Sequence, residues 1–565
     1  MGAPSIIELT RKLPPLRQAR ELVNHFASTL QPTVGVLHVP STRDLVEKIY
    51  QSLLEGEDPS WADLMLLFSI FAGAALAWTP GLLEILNATR EEAMAAFKAY
   101  THYAYAILDH PTYPLQPSTT ALVAMSIMAH LVMNTDGIPM KVPMLRQRCL
   151  LMSRELQIHR LDTAKSREER RLNGCDEIDV EVQRRIWWNM VASDWLLSFS
   201  GGSQEGAYIF QPKHMNVNLP SNTDDEFITT AGVQQEFPLS IPTSMSAFIF
   251  RVKGSELCRE VIDALPSILL DSQAPDYDTI LDLDAKFQDA FSRLPEFLKL
   301  DPVSIERTRE ICKERPYIAW QRLGIHFSLH TRLCRLHRHY HLEGITNRKY
   351  AYSHMVCIHS AHKVLEIRRS MDEVSADVGL MPGRFWTVMH HVFFAALILA
   401  MNVSFDPHAP NAAEQKAKVL AAYHTLEKSK QESGYMMQGI QKNLQTLMST
   451  LHKQRTQTAV ASQRDASVAQ NSAAITSSDS GSIPLPVQGF GDSLTSHGNQ
   501  NADILQPSSP IAADGMSGGN LINDIGEEGW ERVWSEFVAV APELDVPQWN
   551  ALLEDVDFNP PLDLY

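Results

Sequence analysis

Apolar residues recur at intervals of three and four along most of the chain, from about residue 16 to residue 454. This spacing puts them on one face of a helix and predicts a series of amphipathic helices. One follows Ser118, a suitable N-cap, and ends before Gly137, and others cover about 178–199, 317–340, 351–370, 384–401 and 412–451. Because we find no alternating strand pattern and no hairpin signal, the sequence predicts an all-α fold, a large irregular helical array.

The composition changes twice after the helical part. Residues 455–520 are rich in Ser, Ala and Gln and nearly free of aromatic residues, so they cannot bury enough apolar surface to offset their chain entropy. We expect a disordered linker there. In residues 521–565, eleven acidic residues accompany one base, Arg532. The predicted organisation is therefore an N-terminal tail over 1–15, a helical domain over 16–454, the linker, and an acidic C-terminal tail.

The acidic tail holds two apolar clusters at helical spacing. The clusters are Trp530, Trp534 and Phe537, and then Trp549, Leu552, Leu553 and Phe558. Acidic neighbours keep such a stripe solvated until the groove of a partner protein covers it, which is typical of segments that recruit the transcription machinery or a coactivator. The alternative is a C-terminal helix that docks on the chain's own helical domain.

Charge and cysteine spacing argue against direct nucleic-acid and zinc binding. The net charge is −17 over 565 residues, and no cluster of bases stands out that would neutralise phosphates. A structural zinc site usually needs Cys-x-x-Cys pairs, and the cysteines here are isolated from one another, as expected of reduced, buried, intracellular thiols. They are Cys149, Cys175, Cys258, Cys312, Cys334 and Cys357. The apolar stretch Leu64–Trp78 is too short to span a bilayer and predicts a buried core helix, so no membrane contact is expected.

No motif for catalysis is found: the chain has no nucleophile elbow, no phosphate-binding Gly loop and no dinucleotide fingerprint. Two helical histidine pairs, His326/His330 and His337/His341, raise the question of a metal site. A His-x-x-x-His pair needs further ligands, and no Glu completes a His-Glu-x-x-His motif. We therefore expect a mixture of core and surface histidines, no metal, no cofactor and no enzymatic activity.

The most specific pattern lies between residues 150 and 227. It comprises LLMSRELQIHRLD, then EVQRRIWWNMVASDWLLSFSGG, then HMNVNLPSNTDDE. This succession resembles the fungal-specific transcription factor domain, the middle homology region of zinc binuclear-cluster transcription factors. The residues that match that pattern are Leu156, His159, Arg160, Arg184, Arg185, Trp187, Trp188, Asp194, Leu196, Leu197, Ser198, Gly201 and Pro220.

The resemblance implies a transcription regulator in the nucleus, or one shuttling between nucleus and cytoplasm. It further implies that the protein activates a metabolic gene set, for example genes for a secondary metabolite. Contact with DNA is expected from the resemblance alone. In that family a zinc cluster precedes the helical domain, whereas this domain starts close to Met1. The expected alternatives are a cofactor without DNA-binding ability or a metabolite-sensing helical protein, acting through a full-length partner; a dimer is also left open.

The helix that carries the Arg-Arg-x-Trp-Trp pattern makes physical sense without the family. Trp187 and Trp195 share its apolar face with Ile186 and Met190. Asp194 falls beside that face, and a buried aspartate must be paired or hydrogen-bonded. We therefore expect a central core helix, with direct ligand contact by these residues as the alternative.

Overall fold

The described part of the chain folds almost entirely into α-helices, which confirms the predicted all-α class. The computed structural model describes residues 4–136, 141–200, 204–265, 275–405 and 408–433. The predicted linker and acidic tail lie outside these ranges, as do Gly137 and Gly201. The helices are α1 Ile6–Thr10, α2 Leu16–Thr29, α3 Gln31–Val34, α4 Val39–Leu54, α5 Trp61–Leu76, α6 Pro80–Leu86, α7 Arg90–Leu108, α8 Thr119–Asp136, α9 Lys141–Glu155, α10 Ala164–Asn173, α11 Glu177–Ser198, α12 Ser246–Ala264, α13 Tyr277–Ser292, α14 Pro302–Arg307, α15 Arg309–Glu314, α16 Tyr317–His337, α17 Glu343–Thr346, α18 Ala351–Val378, α19 Trp386–Phe405 and α20 Ala412–Ser433.

Short 3-10 turns and one small hairpin complete the described structure. The 3-10 turns cover Ile158–Arg160, Pro212–His214, Asp225–Phe227, Glu296–Leu298, Arg338–Tyr340, Arg348–Tyr350 and Pro382–Arg384. Strands β1 (Ile228–Thr229) and β2 (Gly232–Val233) pair in antiparallel fashion, with Ile228 opposite Val233. The expectation of no hairpin was therefore wrong for this segment, because strands of two residues are too short to produce an alternating pattern.

Helix α5 forms the centre of the N-terminal half, as the apolar stretch Leu64–Trp78 predicted. Its residues from Leu64 to Ala75 are all buried, and α2, α7 and α8 pack around it. Ser60 caps it by accepting a hydrogen bond from the Asp63 amide (3.1 Å). Helix α2 approaches closely at Gly73, where an added Cβ would lie 2.5 Å from the Phe26 ring. A side chain at position 73 would therefore push α2 away from α5.

The C-terminal half is built on α16, α18, α19 and α20, which pack in succession, and α19 also contacts α8 of the N-terminal half. By length and composition α19 would pass as a membrane span. Most of its residues are buried against the neighbouring helices, as in the core helix of a folded domain. Helices α11 and α12 pack on each other, α11 against α8 and α12 against α16, so this pair bridges the two halves.

Helix boundaries and cysteine burial differ in part from the expectations. Helix α18 continues to Val378, eight residues beyond the predicted end at 370, because the Gly379 cap and not Ser370 terminates it. Of the six free cysteines, Cys149, Cys258 and Cys357 are buried and Cys312 and Cys334 half-buried, whereas Cys175 is exposed. Cys175 lies in the segment before α11, where its thiol donates to Glu177 Oε1 (3.1 Å).

Candidate regulatory site

The three tryptophans of α11 hold the loop that follows it. The signature loop, defined here as residues 204–245, connects α11 to α12. The indole Nε1 of Trp188 donates to the Asn218 carbonyl (2.8 Å) and that of Trp195 to the Phe210 carbonyl (2.9 Å). Trp187 Nε1 donates to the sulfur of Met215 (3.3 Å). Because all three rings are also buried, each contributes apolar packing and a directional contact to the loop.

Asp194 fastens the start of the same loop. Its Oδ2 accepts hydrogen bonds from the backbone amides of Ile209 (2.7 Å) and Phe210 (3.0 Å). Its Oδ1 accepts from Arg146 Nη2 of α9 (3.1 Å), and both side chains are largely buried. Burial raises the pKa of Asp194 and lowers that of Arg146, although the two charges favour each other. The partner that a buried Asp194 requires is therefore Arg146 of α9, a residue that the sequence pattern did not indicate.

A second cluster of buried charges holds the middle of the loop. Arg184 donates two hydrogen bonds to Asp162 (Nη2–Oδ1 2.7 Å, Nε–Oδ2 3.1 Å), and Asp162 Oδ2 also accepts from the Asn218 amide (2.8 Å). Glu181 accepts from Arg184 (3.2 Å) and from the Ser221 amide (2.9 Å). Burial acts to raise the pKa of Asp162, but hydrogen bonds from Arg184 and Asn218 outweigh it and leave that pKa below its ordinary value.

Arg185 and the loop's acidic residues connect α11 to the N-terminal segment. Arg185 is 1% exposed; its Nη1 donates to the Leu37 carbonyl (2.7 Å) and lies 2.8 Å from Asp225 Oδ1. Asp225 Oδ2 in turn accepts from the Val39 amide (2.7 Å). The neighbouring Asp224 binds both Nη atoms of Arg315, at 3.0 and 2.7 Å. The loop therefore joins α11, the α3–α4 turn and the segment before α16.

The structure brings most of the predicted motif residues into one arrangement. Arg184, Arg185, Trp187, Trp188, Asp194 and Trp195 all contact the loop or its anchors, while Leu197 is buried and lines a cavity. Gly201 and the tail residues Trp530, Trp534, Phe537, Trp549, Leu552, Leu553 and Phe558 lie outside the described residues. Sequence reasoning missed Arg146, Asp162, Glu181, Asp224 and Asp225. Asp224 and Asp225 were visible in the quoted TDDE, but their partners lie far away in the chain.

Two adjoining cavities lie on the other side of α11. An outer groove of about 1210 Å³ is formed by α12, α13 and α16 with neighbouring segments. An inner cavity of about 300 Å³ lies among α8, α9, α11, α12, α16 and α19. The two share a lining of Thr33, Leu196, Arg251, Trp320, Gly324, Ser328 and Arg332. The volume of the inner cavity is at the lower end of the range for small-molecule sites, about 300–1,000 Å³.

The histidines of the two pairs named above, His326/His330 and His337/His341, lie in α16 and directly after it. Within the described ranges, no three histidine, cysteine or acidic side chains come close enough together to hold a metal ion. His341 stacks on His354 with ring centres 4.9 Å apart, and His326 Nε2 lies 2.9 Å from the Leu298 carbonyl. Burial lowers the pKa of His330 and of His341 to about 3, so both rings are neutral at physiological pH.

Comparison with known proteins gives relatives of one kind. The chain is 31% identical over 424 residues to the probable transcription factor lepB of Aspergillus flavus, covering 74% of this chain and 75% of that protein. It is 29% identical over 436 residues to the agnestins biosynthesis cluster transcription factor AgnL11 of Paecilomyces divaricatus, covering 77% of this chain and 62% of that protein. The Zn(2)-C6 fungal-type transcription factor pigI of Monascus ruber is 23% identical over 241 residues, which are 42% of this chain and 28% of that protein.

Two other comparisons add little to this. No protein-family model matches the chain. A chain of the K. lactis CBF3 core superposes with a TM-score of 0.49 at 9% identity, covering 81% of this chain and 89% of that chain. This similarity is too weak to indicate a shared function. The match to lepB, by contrast, extends over about three quarters of both proteins. The chain belongs to a family of fungal transcription factors.

Proposed function

We propose that the chain is a nuclear regulator, an activator of a metabolic gene set, in which residues 16–454 are a regulatory domain of the middle-homology-region type. The main support for this proposal is the way in which the side chains of α11 hold the signature loop. Five of the residues that match the resemblance, Arg184, Arg185, Trp187, Trp188 and Asp194, hold the signature loop or its anchors, and the chain is 31% identical to a transcription factor over 424 residues. The word "biosynthesis" in the name of AgnL11 supports a secondary-metabolite gene set as the target.

In this proposal the acidic tail, residues 521–565, recruits the transcription machinery or a coactivator. Its support is the sequence: two apolar clusters at helical spacing in an acidic field. The test replaces Trp530, Trp534 and Phe537 together by Ala in the full chain and measures the transcripts that fall when the gene is deleted. We expect the triple variant to lose most of this transcription. The matched control, Glu531→Gln with Glu536→Gln, should retain it. Transcripts unchanged by gene deletion would refute the regulator, and an active triple variant would refute the role of the tail.

A second candidate is a cofactor that reaches DNA through a full-length partner. The net charge of −17 and the absence of any Cys-x-x-Cys pair from the 565 residues favour it. A gel-shift titration of the purified full chain on a promoter that it occupies in cells distinguishes the two. We expect no sequence-selective binding below micromolar concentration by the chain alone, and a shift when a zinc-cluster partner is added. Selective binding without the partner would rule this candidate out.

A further inference from the structure

The inner cavity is lined by positive charges without matching acids. Arg146, Arg251 and Arg332 contribute guanidinium groups to its wall. Among the described residues that line this cavity, none is an aspartate or a glutamate. The charge of Arg146 is already paired with that of Asp194, whose Oδ1 lies 3.1 Å from Arg146 Nη2. The other two arginines have no carboxylate partner within the described part of the chain.

The contacts of Arg251 are all with uncharged groups. Its Nη1 donates to the Thr33 carbonyl (3.2 Å), its Nη2 donates to Asn189 Oδ1 (2.6 Å), and its Nε has no partner in the described structure. The guanidinium also lies 4.8 Å from the centre of the Phe248 ring. Burial lowers the pKa of Arg251 to about 10, and no acidic neighbour counteracts this. A half-buried charge without an opposite charge is incompletely solvated, so Arg251 is a ready partner for an anion from outside.

Arg332 is in a similar state at the junction of the inner cavity and the outer groove. Its Nη1 donates to Thr331 Oγ1 (2.9 Å), its Nη2 is 3.5 Å from Ser200 Oγ, and its Nε has no partner in the described structure. Two bases that line only the outer groove are, by contrast, already paired with acids. Lys286 contacts Glu260 (2.6 Å) and Arg293 contacts Asp289 (2.9 Å). The free positive charge is therefore concentrated at the inner end.

The rest of the inner wall is suited to an apolar body. Its apolar lining residues include Met133, Met190, Leu197, Trp320, Phe327 and Phe385. Half of the residues that line the cavity carry polar side chains; one is Ser126, whose buried Oγ has no hydrogen-bond partner in the described structure. Small-molecule sites combine apolar walls with polar groups that fix the orientation of the ligand.

We propose that the inner cavity binds a small organic carboxylate, with the carboxylate at Arg251 and Arg332, the apolar body among Trp320, Phe327 and Phe385, and the outer groove as its access route. An effector role for this ligand rests on the proposed function, because only a ligand of a transcription factor would regulate transcription. The binding itself does not depend on the proposed function, and it is tested on the purified protein. The two can therefore fail independently of each other.

The chain offers variants that separate charge from folding. Arg251→Met removes the half-buried charge at similar volume, together with its hydrogen bonds to Thr33 and Asn189. Gly324 lies within α16 at the junction of the cavities, and a Cβ added there would meet no atom within 4 Å. Gly324→Leu thus has room for its Cβ and places apolar volume at the junction, and Leu is a better helix former than Gly. Gly81→Leu, in α6 outside both cavities and equally unobstructed, is the matched control.

The experiment uses 2-naphthoate and its neutral analogue 2-naphthamide as probes of the full chain, by calorimetric titration and thermal shift. We expect naphthoate to bind with a Kd below about 1 mM, in line with the affinities of small fragments. At 100 times the Kd the melting temperature should rise by about 3 °C. The neutral amide should bind at least about 10-fold more weakly.

The variants decide whether the binding occurs in the proposed place. Arg251→Met should weaken naphthoate binding about 10-fold or more and leave naphthamide unchanged, whereas Gly324→Leu should weaken both and Gly81→Leu neither. Absence of naphthoate binding to the parent chain, equal affinities for the two probes, or full naphthoate affinity in either Arg251→Met or Gly324→Leu would overturn the proposal. If Arg251→Met fails to fold, the Gly324→Leu result stands as the test.

Discussion

Asp194 is the residue whose replacement tests most directly how α11 holds the signature loop. Asp194→Ala removes the acceptor of the Ile209 and Phe210 amides and the charge partner of Arg146. The side chains of Asp194 and Arg146 are 4% and 14% exposed, so water cannot readily replace the lost contacts. The variant should therefore leave the largely buried Arg146 with only its hydrogen bond to Gln204 (2.7 Å), and the amides of Ile209 and Phe210 without their acceptor.

The expected cost follows from the burial of this pair. Removing one partner of a buried ion pair typically costs about 3–5 kcal/mol. A helical domain of roughly 430 residues unfolds with an entropy of about 0.9 kcal/mol/K, so the melting temperature should fall by about 3–6 °C. Because burial raises the pKa of Asp194 and lowers that of Arg146, most of this cost reflects the stranded partner and not the attraction itself.

Two further variants separate these contributions. Asp194→Asn keeps an acceptor for the loop amides and should cost less than Asp194→Ala. Adding Arg146→Met to Asp194→Asn removes the stranded charge and should restore about 1–3 kcal/mol, a non-additive result. The measurements are thermal unfolding of the full chain by circular dichroism and hydrogen exchange of the Ile209 and Phe210 amides. If Asp194→Ala melts within about 1 °C of the parent and these amides exchange at the parent rate, the fastening role of Asp194 is refuted.

Three other substitutions test separate parts of the described structure. Trp187→Ala should cost about 3–5 kcal/mol, measured as a lower urea midpoint, because the indole is buried; an unchanged midpoint would contradict its core position. Because the pKa of Asp162 is lowered in the folded protein, its carboxylate stabilises the fold above the ordinary aspartate pKa of about 4 and loses this effect as the pH falls below it; the stabilities of Asp162→Asn and the parent should therefore approach each other in acid, and a constant difference would argue against this. Burial lowers the pKa of His341 to about 3, so the neutral ring is compatible with the fold above about pH 6.5, and the parent should lose stability as the pH falls below that value. The loss should reach about 2 kcal/mol at pH 5 in the parent and should be absent from His341→Phe. Equal slopes of stability against pH for the two proteins would refute this prediction.

Helices were predictable where a local signal ends them. Ser118 Oγ accepts from the Ala121 amide (3.1 Å), as expected for the N-cap of α8, and α11 falls within one residue of its predicted range. Residues 317–340 were predicted as one helix, but α16 ends at His337 and Arg338–Tyr340 form a 3-10 turn. No glycine or proline marks this change, so it depends on tertiary packing. The Gly379 that ends α18 was visible, and our prediction stopped short of it.

The partners of the motif residues were not predictable from local pattern. Arg146 lies 48 residues before Asp194 in the chain, and Leu37 lies 148 residues before Arg185. Spacing along a helix identifies which residues share a face but not which distant segment covers that face. The sequence could therefore indicate that a buried Asp194 needs a partner, while the choice of Arg146 is made by the packing of α9 on α11.

The cavity, by contrast, left a signal in α11 that was available from the sequence. Asn189 and Ser193 lie four residues apart and so share one side of the helix, with Leu196 three residues further on. A helix expected in the centre of a core should not carry two polar side chains next to each other, because buried polar groups need partners. In the structure these three residues are half-buried between buried neighbours, and all line the inner cavity or the outer groove. These half-buried residues line a cavity or a groove, and this is the feature that separates a candidate binding wall from an ordinary core face.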